Sequence, residues 1–247
     1  MRPAARRLAR RLPGPLQAAI RRVQGSARLR RSVRRVRWGS LRRLEPVSAG
    51  WGSERGTHVD RYYIDRFFGR HSDLINGRVL EVGDPRYTEQ FGHGVTSIDI
   101  VDIDPRNDSA SIVADLAEPD SLPSEAFDCA VVPQTLVYVS DPVAATANLW
   151  RSLRPGGALL ITVPSIARLD RASLDLDRWH LTASGLEEVV RRGCPGGEYS
   201  VEAHGNPVVA VAFLHGIAVE ELRRTELDSH HALFPIVATA VVRKAAS

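Results

Sequence analysis

An α/β fold, built on a mostly parallel seven-stranded sheet with helices on both faces, is what this 247-residue sequence predicts. Three observations carry the prediction. Short apolar strand patterns alternate with helical ones from about residue 57 onward, and such alternation builds a parallel-dominated sheet. Val79, Leu80 and Val82 form a short run closed by Gly83-Asp84-Pro85, as a buried strand ending in a loop does. The stretch FPIVATAVVR (234–243) is almost wholly apolar, which suits a final strand buried on both faces.

The elements follow in order. Val59, Tyr62, Tyr63, Ile64, Phe67 and Phe68 predict a helix starting near Thr57, with Asp60 in its first turn, where it favours the dipole. The first strand runs into Gly83. A second begins at about Val95, and Asp99, Asp102 and Asp104 crowd its end. SIVADL (111–116) is the third strand, and the fourth runs to Val132. A helix from Pro142 to Leu153 is terminated by Arg154-Pro155-Gly156-Gly157, and the fifth strand covers 158–164. A helix from Leu181 to Arg192 has Thr182 as its N-cap. Tyr199 to His204 is the sixth strand, and an apolar helix spans Pro207 to Arg224.

Composition bounds the function classes. The chain is 43% hydrophobic and 25% charged, as a soluble globular protein is. No apolar run approaches the roughly 18–20 residues that span a bilayer. The basic N-terminus lacks a following apolar stretch, so no secretory signal is expected. Cys129 and Cys194 are the only cysteines, too few for a disulfide framework or a metal cluster, and no metal site is expected. A cytoplasmic location follows as the default.

The net charge of +4 hides an asymmetry. Residues 1–45 hold 15 Arg and one acid, a balance of +14, and residues 46–247 carry −10. Two units are therefore expected: an Arg-rich arm over 1–45 and a folded domain over 46–247. Leu8, Leu12, Leu16, Ile20 and Val23 recur among the arginines at helical spacing, broken at Pro13-Gly14-Pro15 and Gly25. Such a segment is either a solvated arm or a peripheral contact with an anionic surface, here the inner face of the membrane. No interleaved aromatics support nucleic-acid binding.

Read together, the first strand's VLEVG (79–83), the acid-ended second strand, VADL (113–116), and FDCAVVPQTLVYV followed by LRPGGALLITVP resemble class I S-adenosylmethionine-dependent methyltransferases of the small-molecule type. The flanks RGTHVDRYYIDRFF and DRWHLTASGLEEVV resemble bacterial methyltransferases associated with glycosyltransferases. The resemblance implies a Rossmann-like sheet with an antiparallel last strand, S-adenosylmethionine as cofactor, and a small-molecule or glycan acceptor methylated on oxygen. It implies that Glu81 and Gly83 border the cofactor's methionine end. Asp99 would accept from its ribose, with Asp102 or Asp104 as the alternative, and Asp115 and Leu116 would meet its adenine. Gln134 and Thr135 would line the cleft, and Tyr62 and Tyr63 would close over it, unless they are plain core aromatics.

The first motif departs from the family's Gly-x-Gly. Asp84, Pro85 and Arg86 stand there instead, and Asp84 would meet the cofactor's ammonium. A hydroxyl acceptor needs a base, and His180 is the candidate, ahead of His204 and His215; its alternative is an ordinary surface or core histidine. A second reading of the whole is a catalytically inactive, methyltransferase-like scaffold docked through the basic arm. A nicotinamide enzyme is disfavoured, because Gly-x-Gly-x-x-Gly is absent after the first strand.

Overall fold

The computed structural model describes residues 39–246, and a compact unit begins at Glu45. The Arg-rich segment lies almost entirely outside the described residues. Seven strands form one sheet: β1 (Gly77–Val82), β2 (Val95–Asp102), β3 (Ile112–Val113), β4 (Phe127–Pro133), β5 (Leu153–Pro164), β6 (Glu198–His204) and β7 (Val237–Arg243). Their order is β3-β2-β1-β4-β5-β7-β6. β1 to β5 pair in parallel, and β7 runs antiparallel to both β5 and β6. This is a Rossmann-like α/β arrangement with antiparallel final strands. Its strand order reverses between β1 and β4, and the crevice beyond the carboxyl ends of these strands is where such sheets bind ligands.

Six α-helices are described: α1 (Val59–Arg70), α2 (Arg86–Phe91), α3 (Pro142–Ser152), α4 (Ala183–Gly193), α5 (Pro207–His215) and α6 (Arg224–Asp228). Side-chain alternation along the strands divides the core in two. Val79, Cys129, Val131 and Leu160 pack with α1 and α5 on one face. Leu80, Ala130, Val132 and Leu159 pack with α3 and α4 on the other.

The helix starts are set by short polar caps. Asp141 accepts from the N–H groups of Val143 and Ala144 at 2.8 and 3.1 Å. Thr182 accepts from Gly185 at 3.2 Å. Asn206 accepts from Val208 and Val209 at 2.9 and 3.1 Å.

Several boundaries move from their expected places for local reasons. α1 begins at Val59 because the N–H and hydroxyl of Thr57 are held by the Glu220 carboxylate at 2.9 and 2.8 Å. α5 stops at His215 and not at Arg224. Gly216 takes φ 66°, and a Cβ there would lie 2.6 Å from the Ser48 carbonyl oxygen. Arg154 to Gly157 open β5 and do not form a loop before it. The third strand shrinks to two residues.

α2 has no counterpart in the sequence pattern, and it explains Glu81. That side chain is fully buried, and its two oxygens accept from the N–H groups of Tyr87 and Thr88 at 2.9 and 2.8 Å. The strand thus supplies the cap that Pro85 cannot. Burial pushes the Glu81 carboxyl up, while these hydrogen bonds pull against it. Glu81→Ala would orphan two buried donors and is expected to cost roughly 3 kcal/mol, read as a lower urea midpoint with an unchanged slope.

Candidate functional site

Two adjoining cavities open at the carboxyl edge of the sheet. The first, of about 460 Å³, lies over the β1–β2 and β1–β4 boundaries. Gly83 forms its floor with φ 88°, and a Cβ there would meet nothing within 4 Å, so a ligand can approach the bare backbone. Asp102, the last residue of β2, lines the wall, as do Asp115, Leu116 and Thr135.

Asn107 organises this wall. Its side-chain amide lies 2.7 Å from both the Gly83 carbonyl oxygen and Asp102 Oδ2. Asp102 Oδ1 accepts from the Asp104 N–H at 2.9 Å. Asp115 Oδ1 accepts from the Ala117 N–H at 2.8 Å, and the Leu116 carbonyl accepts from Asn148 at 2.8 Å. Asp104 turns to Arg106, whose hydrogen bonds hold its carboxyl at about 2.

Asp99 does not reach the cleft, which corrects the ribose assignment. It pairs with Leu80 across the ladder, three residues short of the strand end, and forms a bidentate ion pair with Arg78 at 2.7 and 3.1 Å. Glu81 and Asp84 are likewise engaged elsewhere. Glu81 caps α2, and Asp84 Oδ1 accepts from the Arg86 N–H at 3.0 Å in an exposed turn. Tyr62 and Tyr63 do not cover the cleft. Their hydroxyls donate to Asp228 at 2.6 Å and to the Leu227 carbonyl at 2.8 Å, toward α6. The residues just before them on α1, Asp60 and Arg61, face the site instead.

The second cavity, of about 220 Å³, shares Gln134 and Tyr138 with the first. His180 lies here, its Nε2 3.0 Å from Oδ1 of Asp177, whose side chain is only 6% exposed. Arg168 stacks over Trp51 at 3.6 Å, close enough for a cation–π contact. Arg61 hydrogen-bonds the Tyr87 hydroxyl. Gln134 sits in the left-handed region at φ 49°, and its Nε2 lies 3.4 Å from Asp60 Oδ2. Among the described residues, the buried Gln134 Oε1 and Arg168 Nε have no partner. His204 and His215 do not line either cavity.

Burial pushes His58, in this cavity, and His71 and His204 elsewhere below their ordinary value of 6.5. The unfolded chain therefore binds protons first as pH falls. Their stabilisation is complete above pH 6.5 and is lost as pH falls through the lower folded values. Tm should drop about 2–5 °C between pH 7 and pH 5. Glutamine at all three positions should flatten that slope in a thermal melt.

Residues 83–161 match the family model described as a methyltransferase domain. The fold resembles that of a proposed sarcosine dimethylglycine methyltransferase from Galdieria sulphuraria, with TM-score 0.51 and 14% identity, over 76% of this chain and 90% of that one. An S-adenosylmethionine-dependent methyltransferase from Mesorhizobium loti gives TM-score 0.49 and 17% identity, over 75% of this chain and 100% of that one. Identities this low speak for the fold alone. A search of curated protein sequences gives no match.

A methyltransferase domain implies S-adenosylmethionine, and the first cavity has the donor set for its nucleoside end. Two carboxylates, Asp102 and Asp115, stand among the apolar walls of Ile103, Leu116 and Val139. Acceptors for hydroxyl and amino groups beside a slot for a flat ring are what a nucleoside requires.

Proposed function

We propose that the chain is an S-adenosylmethionine-dependent methyltransferase that acts on a hydroxyl of a small polar acceptor, a glycan or other small molecule. One observation carries this reading: the nucleoside-type cavity opens, across Gln134 and Tyr138, onto a second cavity that holds an Asp177–His180 pair. S-adenosylmethionine, when bound, supplies an electrophilic sulfonium methyl group. Asp102, held by Asn107, accepts hydrogen bonds from the ribose hydroxyls. Asp115 accepts from the adenine amino group, and the Leu116 backbone N–H donates to the ring. These contacts fix the donor, and most of the rate advantage of such a reaction comes from orientation.

In the second cavity, the carboxylate of Asp60, the guanidinium groups of Arg61 and Arg168, and the free Gln134 Oε1 interleave donors and acceptors. That mixture suits a hydroxyl-rich acceptor better than a purely ionic one. His180 takes the acceptor proton as the hydroxyl oxygen attacks, and Asp177 holds the imidazole and stabilises its charged form.

Titration calorimetry with S-adenosylmethionine and its demethylated product tests the cofactor half. Micromolar binding is expected, and no heat with either ligand overturns the enzyme reading in favour of a cofactor-free scaffold. Transfer of labelled methyl groups to a saccharide panel tests the acceptor half. Labelling of amines and not hydroxyls would overturn the oxygen assignment.

A further inference from the structure

Helix α5 has an unusual outer face. Its buried side chains, Val209, Ala210, Ala212 and Phe213, complete the core, and Phe213 also lines the second cavity. Its water-facing positions are Pro207, Val208, Val211 and Leu214, an unbroken apolar row in which the last three are 49%, 40% and 37% exposed. A surface helix ordinarily carries polar residues there. The loop after α6 continues the row. The His231 N–H donates to the Gly205 carbonyl at 2.9 Å, which ties this loop to the start of α5, and its tip presents Leu233 at 79% and Phe234 at 44% exposure.

The sequence that precedes the fold joins it at the other end of the same helix. The N–H groups of Val47 and Ser48 both donate to the His215 carbonyl, at 2.8 and 3.0 Å. Immediately before them stand the 15 arginines of residues 1–45, while residues 46–247 carry −10. An acidic body is repelled by an anionic bilayer wherever the basic sequence does not hold it.

We propose that the outer face of α5, with the Leu233–Phe234 tip, rests in the interfacial layer of an anionic membrane to which residues 1–45 supply the attraction. Apolar insertion and basic charge are each marginal alone, and stable membrane attachment takes two such signals. A second copy of the chain fits this face poorly, because six apolar side chains fall far short of the roughly 20–30 residues a side of a stable interface.

The full chain is tested against phosphatidylcholine vesicles with and without a quarter of phosphatidylglycerol. Sedimentation with the anionic vesicles alone is expected, and V208S/V211S/L214S should weaken it about tenfold. Because Cys129 and Cys194 are buried, Val211→Cys can be labelled selectively with a polarity-sensitive dye, and its emission should shift blue on anionic vesicles. Unchanged binding of the triple variant together with an unshifted dye overturns the proposal, since the basic sequence then acts alone. A dye shift without vesicles also overturns it: a shift that grows with protein concentration points to a second copy, and one abolished by deleting residues 1–37 points to the chain's own basic segment.

Discussion

His180→Ala should lower the turnover number for methyl transfer to a hydroxyl about 10²–10³-fold while leaving S-adenosylmethionine affinity within about twofold. The separation follows from placement. His180 lines the second cavity and not the first, so its loss removes the base without touching the donor. An Nε2–H donated to Asp177, 3.0 Å away, leaves the imidazole lone pair on Nδ1. Asp177→Asn should therefore cost less than His180→Ala. A histidine of structural value alone would lower Tm and leave the alanine variant indifferent to added imidazole. Steady-state kinetics of both variants, with imidazole added back to the alanine variant, separates the two. An alanine variant as active as wild type would remove His180 from the mechanism.

Asp102→Ala should weaken S-adenosylmethionine binding about 10–100-fold, the usual cost of deleting a charged hydrogen-bonding partner. Asp99→Ala should leave affinity within about twofold and lose only about 0.5–1 kcal/mol of stability, because its partner Arg78 is part-exposed. Asn107→Ala should fall between the two, since it removes the clamp on Asp102 and Gly83 but not the carboxylate. Calorimetry on the three variants gives the order directly. An Asp99 effect larger than the Asp102 effect would reverse the assignment.

The contrast between Asp99 and Asp102 shows where sequence reading stops. The pattern IDIVDID locates a strand and its acids, but strand periodicity repeats every two residues and carries no mark for the last one. The end is fixed by the ladder to β1, which runs on to Val101 and places Asp102 at the rim. Likewise, the apolar spacing of VDRYYIDRFF establishes α1 and its buried face. It does not tell that Asp60 and Arg61 look toward the cavities while Tyr62 and Tyr63 look toward α6. That phase depends on where α6 packs, which is a long-range fact. Glu81 was visible as the acid of the first strand, but its engagement by α2 required a six-residue helix too short to leave a period. By contrast, the alternation of strands and helices, the Thr182 cap and the position of Gly83 were open to inspection, because each is dictated by neighbours in the chain. Trp51 and Arg168 were beyond reach for the opposite reason: they meet across more than a hundred residues, with no motif around either.

Gln134 and Tyr138 line both cavities. A molecule in either chamber therefore presses on the same side chains that face the other. Occupancy of the two chambers is then thermodynamically linked, and whatever one occupant gains from the presence of its neighbour, the neighbour gains equally. Exchanging either shared residue, Gln134 or Tyr138, should therefore alter both chambers together and change the size of this coupling.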